Sequence, residues 1–566
     1  MIPTKQTPWS NREAIATAAI TVFATLIRAI GLGRLGLDHF DEGIYAMSGT
    51  WSLGPAGLAG IDPGLIPYAP PGYPILVGMG YRVFGLSDLV AIAVSIGAGA
   101  ATIPIVAWIG RSLLGPAGGV VASVFAALSG HHIIFSRMAL TDVLFLLAWL
   151  VGVAVSIRFL DRPSLGRAVG IGLAVGMAQL VKYNGWLVGA IVIVAASAAP
   201  VFRREILTSP RFFRTLGYGL LAALVAALVY VPWFRFVEAH GGYAALLRHQ
   251  RSYLGGLSTW RGNWLLQLRQ SAALSGGAAV GWLEVAIGFV AAAALRPKVN
   301  PISWRRGARA GVGLTCLAIA PAATGWWLGL ALAGWLVSRP GGAARALGAW
   351  WLLMAILTPF YHPYARLWLP LEAAGWFLKA MAVIRLVDGW ASPLEGAVSP
   401  GTGHRSVLPA LVGIGLLAGT LHAFLATPRA VPLEGLLGPR DSFRTAAARL
   451  VEDVPSEARV VRTLARPAFS LYASGPLSSR RIGDLRSGSL DEILRPGPGW
   501  AIVDEVILGQ EADVSAARAR LLARWTIVSE AATTLSPATI LDVDPAAAQG
   551  VVSARTESLL LLRRRP

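Results

Sequence analysis

The chain has 566 residues, of which 55% are hydrophobic and only 14% are charged. Soluble globular proteins carry about 25% charged residues, and a long soluble chain divides into domains rather than burying this much apolar surface in one core. The composition therefore excludes an ordinary soluble protein and predicts a membrane protein. The net charge of +19 does not indicate a nucleic-acid partner, because basic residues of membrane proteins collect in cytoplasmic loops. The single cysteine, Cys316, excludes an intrachain disulfide and a cysteine-based zinc site.

The N-terminal part alternates between polar and apolar stretches. Residues 1–12 contain Lys5 and Arg12 and are predicted to form a cytoplasmic leader. The apolar stretch from about Ala14 to Leu35 runs well past a signal-peptide core and has no small-residue cleavage site behind it, so we expect a retained membrane helix. The stretch from about Gly36 to Pro74 is rich in Gly, Pro and acidic residues. It is too polar and too broken to lie in lipid and is predicted to be non-helical and external.

The short apolar segment from Tyr73 to Phe84 decides the topology of everything that follows. At about 12 residues it is predicted to be interfacial or re-entrant, since a helix of that length does not cross a bilayer. With that assignment the basic clusters fall on the cytoplasmic side, and the total is about 13 membrane helices with the C-terminus outside. The basic residues that define the cytoplasmic loops are Arg111, Arg158, Arg162, Arg167, Arg203, Arg204, Arg211, Arg214, Arg296, Lys298, Arg305, Arg306, Arg309, Arg385 and Arg405.

The predicted membrane domain spans residues 13–426, with large external loops at about 36–87 and 235–270. After residue 426 charged residues become frequent and long apolar runs stop. Strand-like and helix-like stretches alternate there, which predicts a small soluble α/β domain over residues 427–566. The fold class is therefore an α-helical polytopic membrane protein with a small C-terminal extracytoplasmic α/β domain. The strand-like stretches are Ala458–Thr463, Trp500–Ile507 and Trp525–Val528, the helix-like ones are Phe443–Glu452 and Val514–Ala523, and Arg563–Arg565 reads as a solvated tail.

Two external segments carry acidic residues. The first loop contains the adjacent carboxylates Asp41 and Glu42; in a helical turn such neighbours point about 100° apart, so they can serve different roles. The segment from Ser136 to Asp142 places Asp142 at the start of a long apolar helix, where an acid suits the helix dipole. A solvated loop and helix capping explain these acids equally well. The charge pattern nevertheless puts both sites on one face of the membrane.

These motifs together resemble the C superfamily of membrane glycosyltransferases, and most closely its aminoarabinose transferase and protein O-mannosyltransferase branch. The resemblance covers roughly residues 10–426 and departs from the family at Ala69, where relatives often have a lysine that would face the donor phosphate. The motifs that carry it are Asp41-Glu42 in a large first loop, Pro70-Pro71 before a short interfacial segment, Ser136-Arg137 to Asp142, Lys182-Tyr183 after a Gly-rich helix, and Tyr361-His362-Pro363-Tyr364-Ala365-Arg366 ahead of Leu369-Pro370.

The resemblance implies inverting transfer of a sugar from a polyprenyl-phosphate donor to an acceptor hydroxyl. A polyprenyl phosphate leaves without a general acid, so one carboxylate suffices as a base, whereas glycoside hydrolysis uses two. Asp41 is the candidate base, and Glu42 and Asp142 would orient the acceptor or the base, or hold a cation. The remaining candidates are Arg366, Lys182 and Arg137 for the donor phosphate, and Tyr45, His362 and Tyr364 for other substrate contacts.

The expected partners are the lipid-linked donor, membrane lipid and an acceptor of the cell envelope, which can be a lipid, a glycan or a protein, with no nucleic acid. The plasma (inner) membrane is the expected location. No cofactor is required, although an acidic pair can bind a divalent cation through oxygen. A transporter or flippase is the main alternative and an envelope polymerase or acyltransferase the second. The sequence shows no internal repeat of the kind that transporters often have, which argues against the first alternative.

Two further features have competing interpretations. Arg28, near the end of the first helix, is predicted to snorkel to the interface, with a functional role as the alternative for a membrane-embedded charge. The external loop at 235–270 mixes aromatic residues with arginines. Interfacial anchoring explains its aromatics most simply, and stacking on a sugar is the alternative.

Overall fold

The structure, a computed structural model, describes residues 8–51, 70–201, 210–295, 304–319, 321–339, 341–391, 407–426, 430–458, 460–473, 481–482, 490–497, 499–509 and 511–566. Ala69 and the predicted cytoplasmic Arg203 and Arg204 lie outside these residues. The helices up to residue 426 are α1 (Asn11–Ala29), α2 (Phe40–Thr50), α3 (Gly72–Phe84), α4 (Asp88–Leu128), α5 (Gly130–Ser136), α6 (Thr141–Asp161), α7 (Leu165–Val181), α8 (Leu187–Val201), α9 (Pro210–Ala239), α10 (Gly242–Arg251), α11 (Leu257–Ala273), α12 (Gly277–Ala294), α13 (Trp304–Ile319), α14 (Pro321–Val337), α15 (Gly342–Leu357), α16 (Leu369–Ala391) and α17 (Val407–Ala426).

The protein is a multi-pass membrane protein. Within the described residues, 7 helices are long and apolar enough to cross a bilayer, or 8 if the bent pair α13 and α14 forms one span. Three further apolar helices, α7, α8 and α17, fall below that length. Among the long helices, α9 has a clear lipid-facing side, because Leu216, Leu220, Leu224 and Leu228 form one exposed apolar stripe. The predicted total of about 13 stays a prediction, because short helices cannot be counted as spans by length alone.

The longest helix, α4, is two antiparallel arms. Gly115 has a φ of 79°, in the left-handed region that glycine adopts without steric cost, and the chain reverses there. The hydroxyl of Ser123 consequently donates to the carbonyl of Ile103 at 3.5 Å. The two arms on either side of Gly115 are therefore two separate helical segments.

The predicted non-helical character of the first external loop is wrong for residues 40–50. These residues form α2, with His39 as its N-cap: the His39 side chain accepts a hydrogen bond from the amide of Asp41, and the Glu42 carboxylate accepts one from the amide of His39. Such reciprocal capping satisfies amides that the first helical turn leaves unpaired. Packing against α3 and the C-terminal domain stabilises the helix despite its glycines, since tertiary contacts override weak helix propensity.

The C-terminal domain contains a five-stranded mixed sheet in the order β2-β1-β3-β5-β4. The predicted helices of this domain are present and the predicted strands overlap β1, β3 and β4, but residues 505–507, predicted as the end of a strand, belong to the helix Glu505–Leu508. Arg563 and Arg565 are exposed as predicted, yet the interpretation as a tail is wrong: residues up to Arg564 belong to β5, which lies between β3 and β4 with Leu559 to Leu562 buried. The elements are α18 (Leu433–Leu437), α19 (Ser442–Asp453), β1 (Val460–Leu464), α20 (Ala468–Ala473), β2 (Arg481–Ile482), α21 (Leu490–Leu494), β3 (Trp500–Asp504), α22 (Glu505–Leu508), α23 (Val514–Arg524), β4 (Trp525–Leu535), α24 (Pro537–Val543) and β5 (Arg555–Arg564).

The sheet domain and the first external loop share one hydrophobic core. Met47 of α2 and Tyr73 of α3 belong to the same buried cluster as Phe443 and Phe469. Helix α2 approaches α20 so closely that a Cβ atom at Gly43 would lie 2.3 Å from the amide nitrogen of Ala468. The C-terminal domain is therefore docked on the first loop and forms one folded unit with it.

The two ends of the helix bundle differ in composition. At the end opposite the sheet domain, Arg111 pairs with Glu13, and Asp161 accepts a hydrogen bond from the amide of Gly342 at 2.9 Å. The acidic segments around Asp41 and Asp142 lie at the other end, with the sheet domain. The relative placement of loops thus agrees with the charge pattern, and the orientation in the membrane is open to a direct test.

We expect impermeant thiol reagents to distinguish the two ends in intact cells. Ser136 is fully buried and unsuitable for labelling, but Ser252 and Ser164 are exposed at opposite ends. In a Cys316→Ala background, Ser252→Cys should label from outside, and Ser164→Cys should label only after permeabilisation. Equal labelling of both in intact cells would contradict the predicted orientation.

Candidate functional site

Helix α2 presents Asp41 at the edge of a polar cluster beneath the sheet domain. Its side chain is 26% exposed, and its Oδ2 atom lies 2.6 Å from Nη2 of Arg366. Burial alone would raise the pKa of Asp41, but the positive charge of Arg366 holds this pKa below its usual value. Asp41 is thus an ionised, partly accessible carboxylate, which is the state a general base requires.

Arg366 occupies the centre of the cluster, in the short 3-10 helix Ala365–Trp368. Besides Asp41, its Nε atom lies 3.4 Å from Asp542 and 4.0 Å from Asp142, and its guanidinium covers the ring of Tyr364. Its Nη1 atom is buried and has no hydrogen-bond partner among the described residues. A buried, unpaired guanidinium donor is rare in folded proteins and indicates a place where a ligand oxygen can bind.

Asp142 and Lys182 complete the membrane side of the cluster. Asp142 opens α6, and Lys182 follows the last residue of α7, with its ammonium in contact with Asp142 Oδ1. Asp142 is almost fully buried, whereas the Lys182 side chain is 20% exposed. The lysine is therefore accessible from the cleft, and Asp142 lies between two cations, in contact with Lys182 and 4.0 Å from Nε of Arg366.

Asp542 is the member of the cluster that the sequence analysis missed. It lies in α24 of the C-terminal domain with a fully buried side chain. It accepts hydrogen bonds from the amide of Arg366 at 3.0 Å and from Nε2 of His39 at 3.1 Å. Burial alone would raise its pKa, but Arg366 and His39 lower the pKa of Asp542 to about 2. An acid in the last turn of a helix opposes the helix dipole, and this anomaly was the available signal in the sequence.

Glu42 points away from Asp41 and is a structural residue. Its side chain is fully buried, with Oε1 accepting from the amide of Ala139 at 2.7 Å and Oε2 lying 2.6 Å from Nη2 of Arg440. Arg440 also contacts Asp38, which in turn accepts hydrogen bonds from Thr539 at 2.8 Å and from Ser536. The predicted role of Glu42 in orienting substrate is not supported by these contacts. Removing one partner of such a buried ion pair costs about 3–5 kcal/mol.

Arg137 and Arg28 also have structural roles in this arrangement. The Nη atoms of Arg137 donate to the carbonyls of Arg28, Ile30 and Leu437 at 3.0, 2.7 and 2.8 Å, which leaves them no capacity for a phosphate. The prediction that Arg28 snorkels is wrong: it is fully buried and donates to the carbonyl of Ala127 at 3.2 Å and to Ser136. Carbonyls at the ends of neighbouring helices thus satisfy the Nη atoms of Arg137, whereas its Nε atom is buried without a hydrogen-bond partner among the described residues.

Aromatic side chains line the exposed side of the cluster. Tyr253, from the external loop at 235–270, stacks on Tyr361 with 5.8 Å between ring centroids. The rings of His362 and Tyr364 are 4.5 Å apart. A backbone hydrogen bond of 2.7 Å from His362 to the carbonyl of Tyr253 ties the two loops together. Aromatic faces beside charged groups suit the apolar face of a sugar.

Tyr45 lies one helical turn from Asp41 and borders the same cluster. Its ring packs edge-on against Tyr73, with 6.0 Å between centroids. Burial raises the pKa of Tyr45, and the neighbouring charges of Asp41 and Asp142 act in the same direction. Tyr45 therefore stays neutral and can offer a hydroxyl to a ligand. In the described part of the chain, no group of three or more His, Cys, Asp or Glu side chains is placed to hold a metal ion.

Comparison with known proteins gives a partial family match and a shared fold. Residues 68–234 match the family described as dolichyl-phosphate-mannose-protein mannosyltransferase. The crystal structure of ArnT from Cupriavidus metallidurans bound to undecaprenyl phosphate is 15% identical, with 98% of each chain covered and a TM-score of 0.52. The chain shares the fold of this ArnT, which confirms at the level of the fold the resemblance predicted from the motifs. The structural similarity also covers the C-terminal domain, beyond the predicted limit of residue 426.

Further comparisons add no substrate assignment. The apo structure of the same ArnT is 15% identical over 97% of each chain, with a TM-score of 0.51. The archaeal oligosaccharyltransferase AglB from Archaeoglobus fulgidus, in complex with an inhibitory peptide and a dolichol-phosphate, aligns with 90% of this chain and 72% of that chain at 13% identity and a TM-score of 0.48. A search of curated protein sequences found no match. Identities this low establish the fold alone.

Proposed function

We propose that the protein transfers a sugar from a polyprenyl-phosphate donor to a hydroxyl group of an envelope lipid, glycan or protein, with inversion at the anomeric carbon. The reaction takes place at the external face of the plasma (inner) membrane, with the N-terminus in the cytoplasm. The observation that carries this proposal is the pair of Asp41 and Arg366, an accessible carboxylate beside a buried guanidinium with an unpaired donor.

The residues of the cluster match the requirements of this reaction. The acceptor hydroxyl gives its proton to an Oδ atom of Asp41 while its oxygen forms the new bond to the anomeric carbon. The bond from that carbon to the donor phosphate breaks on the opposite side, and its electron pair stays on the phosphate oxygen. Arg366 and Lys182 stabilise the charge that develops there, since preorganised cations are most effective where charge appears. No second carboxylate acts as an acid.

Two cations and three carboxylates form the charged part of the site. Asp41, Asp142 and Asp542 surround Arg366, and Lys182 contacts Asp142. Without a ligand the carboxylates outnumber the cations, so an incoming phosphate must displace a carboxylate from a cation to bind. Asp41 is the most exposed of the three and the one that a phosphate can replace.

The proposal predicts release of polyprenyl phosphate coupled to sugar transfer. Purified protein in liposomes is incubated with a panel of radiolabelled polyprenyl-phosphate sugars and envelope extracts as the acceptor source. We expect at least one donor to yield free polyprenyl phosphate and labelled acceptor in equal amounts, and the Asp41→Asn protein to yield neither. Label that crosses the bilayer while still attached to polyprenyl phosphate would contradict the proposal and support a transporter or flippase.

A further inference from the structure

The C-terminal domain contributes one buried carboxylate, Asp542, to the centre of the site. Its Oδ1 atom accepts from the backbone amide of Arg366 at 3.0 Å, and its Oδ2 atom lies 3.4 Å from Nε of the same residue. Main chain and side chain of Arg366 are thus held by one group. Because Asp542 is fully buried, neither substrate nor water can replace it without undocking the domain.

Asp542 also holds the helix that carries the base. His39 donates from Nε2 to Asp542 Oδ2 at 3.1 Å, and its Nδ1 atom accepts from the amide of Asp41 at 3.0 Å. The second hydrogen bond requires an unprotonated Nδ1, so the imidazole has its proton on Nε2. A chain of two hydrogen bonds therefore connects Asp542 with the backbone of Asp41, and a single carboxylate fixes both Asp41 and Arg366.

The contacts of Arg366 differ in how easily they can be exchanged. Its Nε atom faces the buried Asp542, its Nη2 atom contacts the partly exposed Asp41, and its Nη1 atom is unpaired. A rotation about the Nε anchor can therefore move the Nη atoms away from Asp41 without breaking the contact to Asp542. Nη1 is shielded in the present conformation, and such a rotation would bring it to a ligand.

We propose that Asp542 is a positioning residue, an inference that rests on the proposed function. Asp542 anchors Arg366 while the Nη atoms of Arg366 exchange their contact with Asp41 for one with the donor phosphate. In the free protein Arg366 neutralises Asp41 and makes it a weak base. Donor binding draws the guanidinium to the phosphate, and the released Asp41 becomes a stronger base for the acceptor. The C-terminal domain is then part of the catalytic machinery, because it supplies the fixed end of this exchange.

The pH dependence of the reaction reports on this anchor. The negative charge of Asp542 raises the pKa of Asp41, against the stronger lowering by Arg366. Removing that charge lowers the pKa of Asp41 further, so the acid limb of the pH–rate profile moves to lower pH. The other titratable groups facing Asp41, Asp542 or Arg366 are His39, His131, His362, Asp142, Tyr45, Tyr253, Tyr361 and Tyr364. The charge of Asp542 also raises the pKa of His131, His362 and Tyr364, so its removal lowers these pKa values in the same direction as that of Asp41.

The test compares Asp542→Asn with Asp544→Asn in the full-length protein in liposomes. Asp544 is exposed, follows the same helix, and its side chain accepts a hydrogen bond from the amide of Ala546 at 3.1 Å. We expect Asp542→Asn to raise the donor KM and to lower kcat/KM by about tenfold or more, as outer-shell partners do at other sites. Its acid limb should move to lower pH, and Asp544→Asn should match the wild type in all three quantities.

The possible results separate the inference from the proposed function. A wild-type protein that transfers no sugar removes the proposed function, whereas an active wild type with identical KM and acid limb in Asp542→Asn and Asp544→Asn removes only the anchor. A structural role alone would lower thermal stability and leave the donor KM and the acid limb unchanged. If Asp542→Asn does not reach the membrane, Asp542→Glu takes its place. Glutamate keeps the charge but displaces it, so the donor KM should rise while the acid limb of the pH–rate profile stays unshifted. An unchanged donor KM in Asp542→Glu would overturn the inference.

Discussion

The Asp41→Asn protein is expected to fold, to reach the membrane and to transfer sugar about 10² to 10⁴ times more slowly than the wild type, the usual effect of removing a general base. Asparagine keeps the size of the side chain but cannot accept the acceptor's proton. The backbone amide of residue 41 still donates to Nδ1 of His39, so the start of α2 is preserved. The measurement is the initial rate of polyprenyl phosphate release at saturating donor.

A matched control is Glu238→Gln, which neutralises an exposed acid at the end of α9 on the same side of the protein. Its rate should equal that of the wild type, because Glu238 contacts only its own loop through the amide of Tyr243 at 3.1 Å. Near-normal turnover in Asp41→Asn would place the base elsewhere. Asp142 would then be the next candidate, released from Lys182 by the bound donor.

Replacing Arg366 by lysine is expected to lower the rate by about 10² to 10³, the range seen when one preorganised donor to a developing negative charge is lost. A lysine keeps the charge but replaces the planar fork by a single nitrogen, so it cannot reproduce the geometry in which Nε faces Asp542 while Nη2 contacts Asp41. The guanidinium makes both contacts in the structure, at 3.4 and 2.6 Å. The loss should appear in kcat/KM for the donor, with normal expression and membrane insertion.

The alternative role for Arg366, an anchor of its helix at the membrane interface, predicts no effect from this substitution. Its burial among three carboxylates already disfavours that role. Arg251→Lys is the matched control, since Arg251 is an exposed arginine in the last turn of α10. Full activity in both Arg366→Lys and Arg366→Ala would contradict a phosphate contact and direct the search to Lys182.

The predicted membrane topology was the most useful guide to which distant residues lie near one another. Asp41, Asp142, Lys182 and Arg366 are far apart in the chain, yet the charge pattern of the loops assigns them to one face, and the structure places them within one cluster. The sequence could not tell which of the two adjacent acids, Asp41 and Glu42, faces the site. Glu42 points about 100° away from Asp41 around the helix, and only the structure shows that Arg440 and the amide of Ala139 occupy it.

The sequence could not predict the contribution of the C-terminal domain. Composition identifies the domain and its strands, but a docking surface depends on side chains that meet only in three dimensions. Gly43 gives no signal in the sequence that α20 passes directly over it. Helix α2 was missed for the same reason, because its stability comes from the shared core with Phe443 and Phe469 rather than from helix propensity.

The contact between His39 and Asp542 joins residues that are 503 positions apart in the chain. A ribosome adds about 5–20 residues per second, so His39 emerges roughly 25–100 s before Asp542. Until residue 440 has been made, Asp38 and Glu42 lack the arginine that neutralises them, and the contact of His39 with α24 forms later still. Under the proposed function we therefore expect a chain that terminates before Asp542 to be inserted in the membrane but inactive.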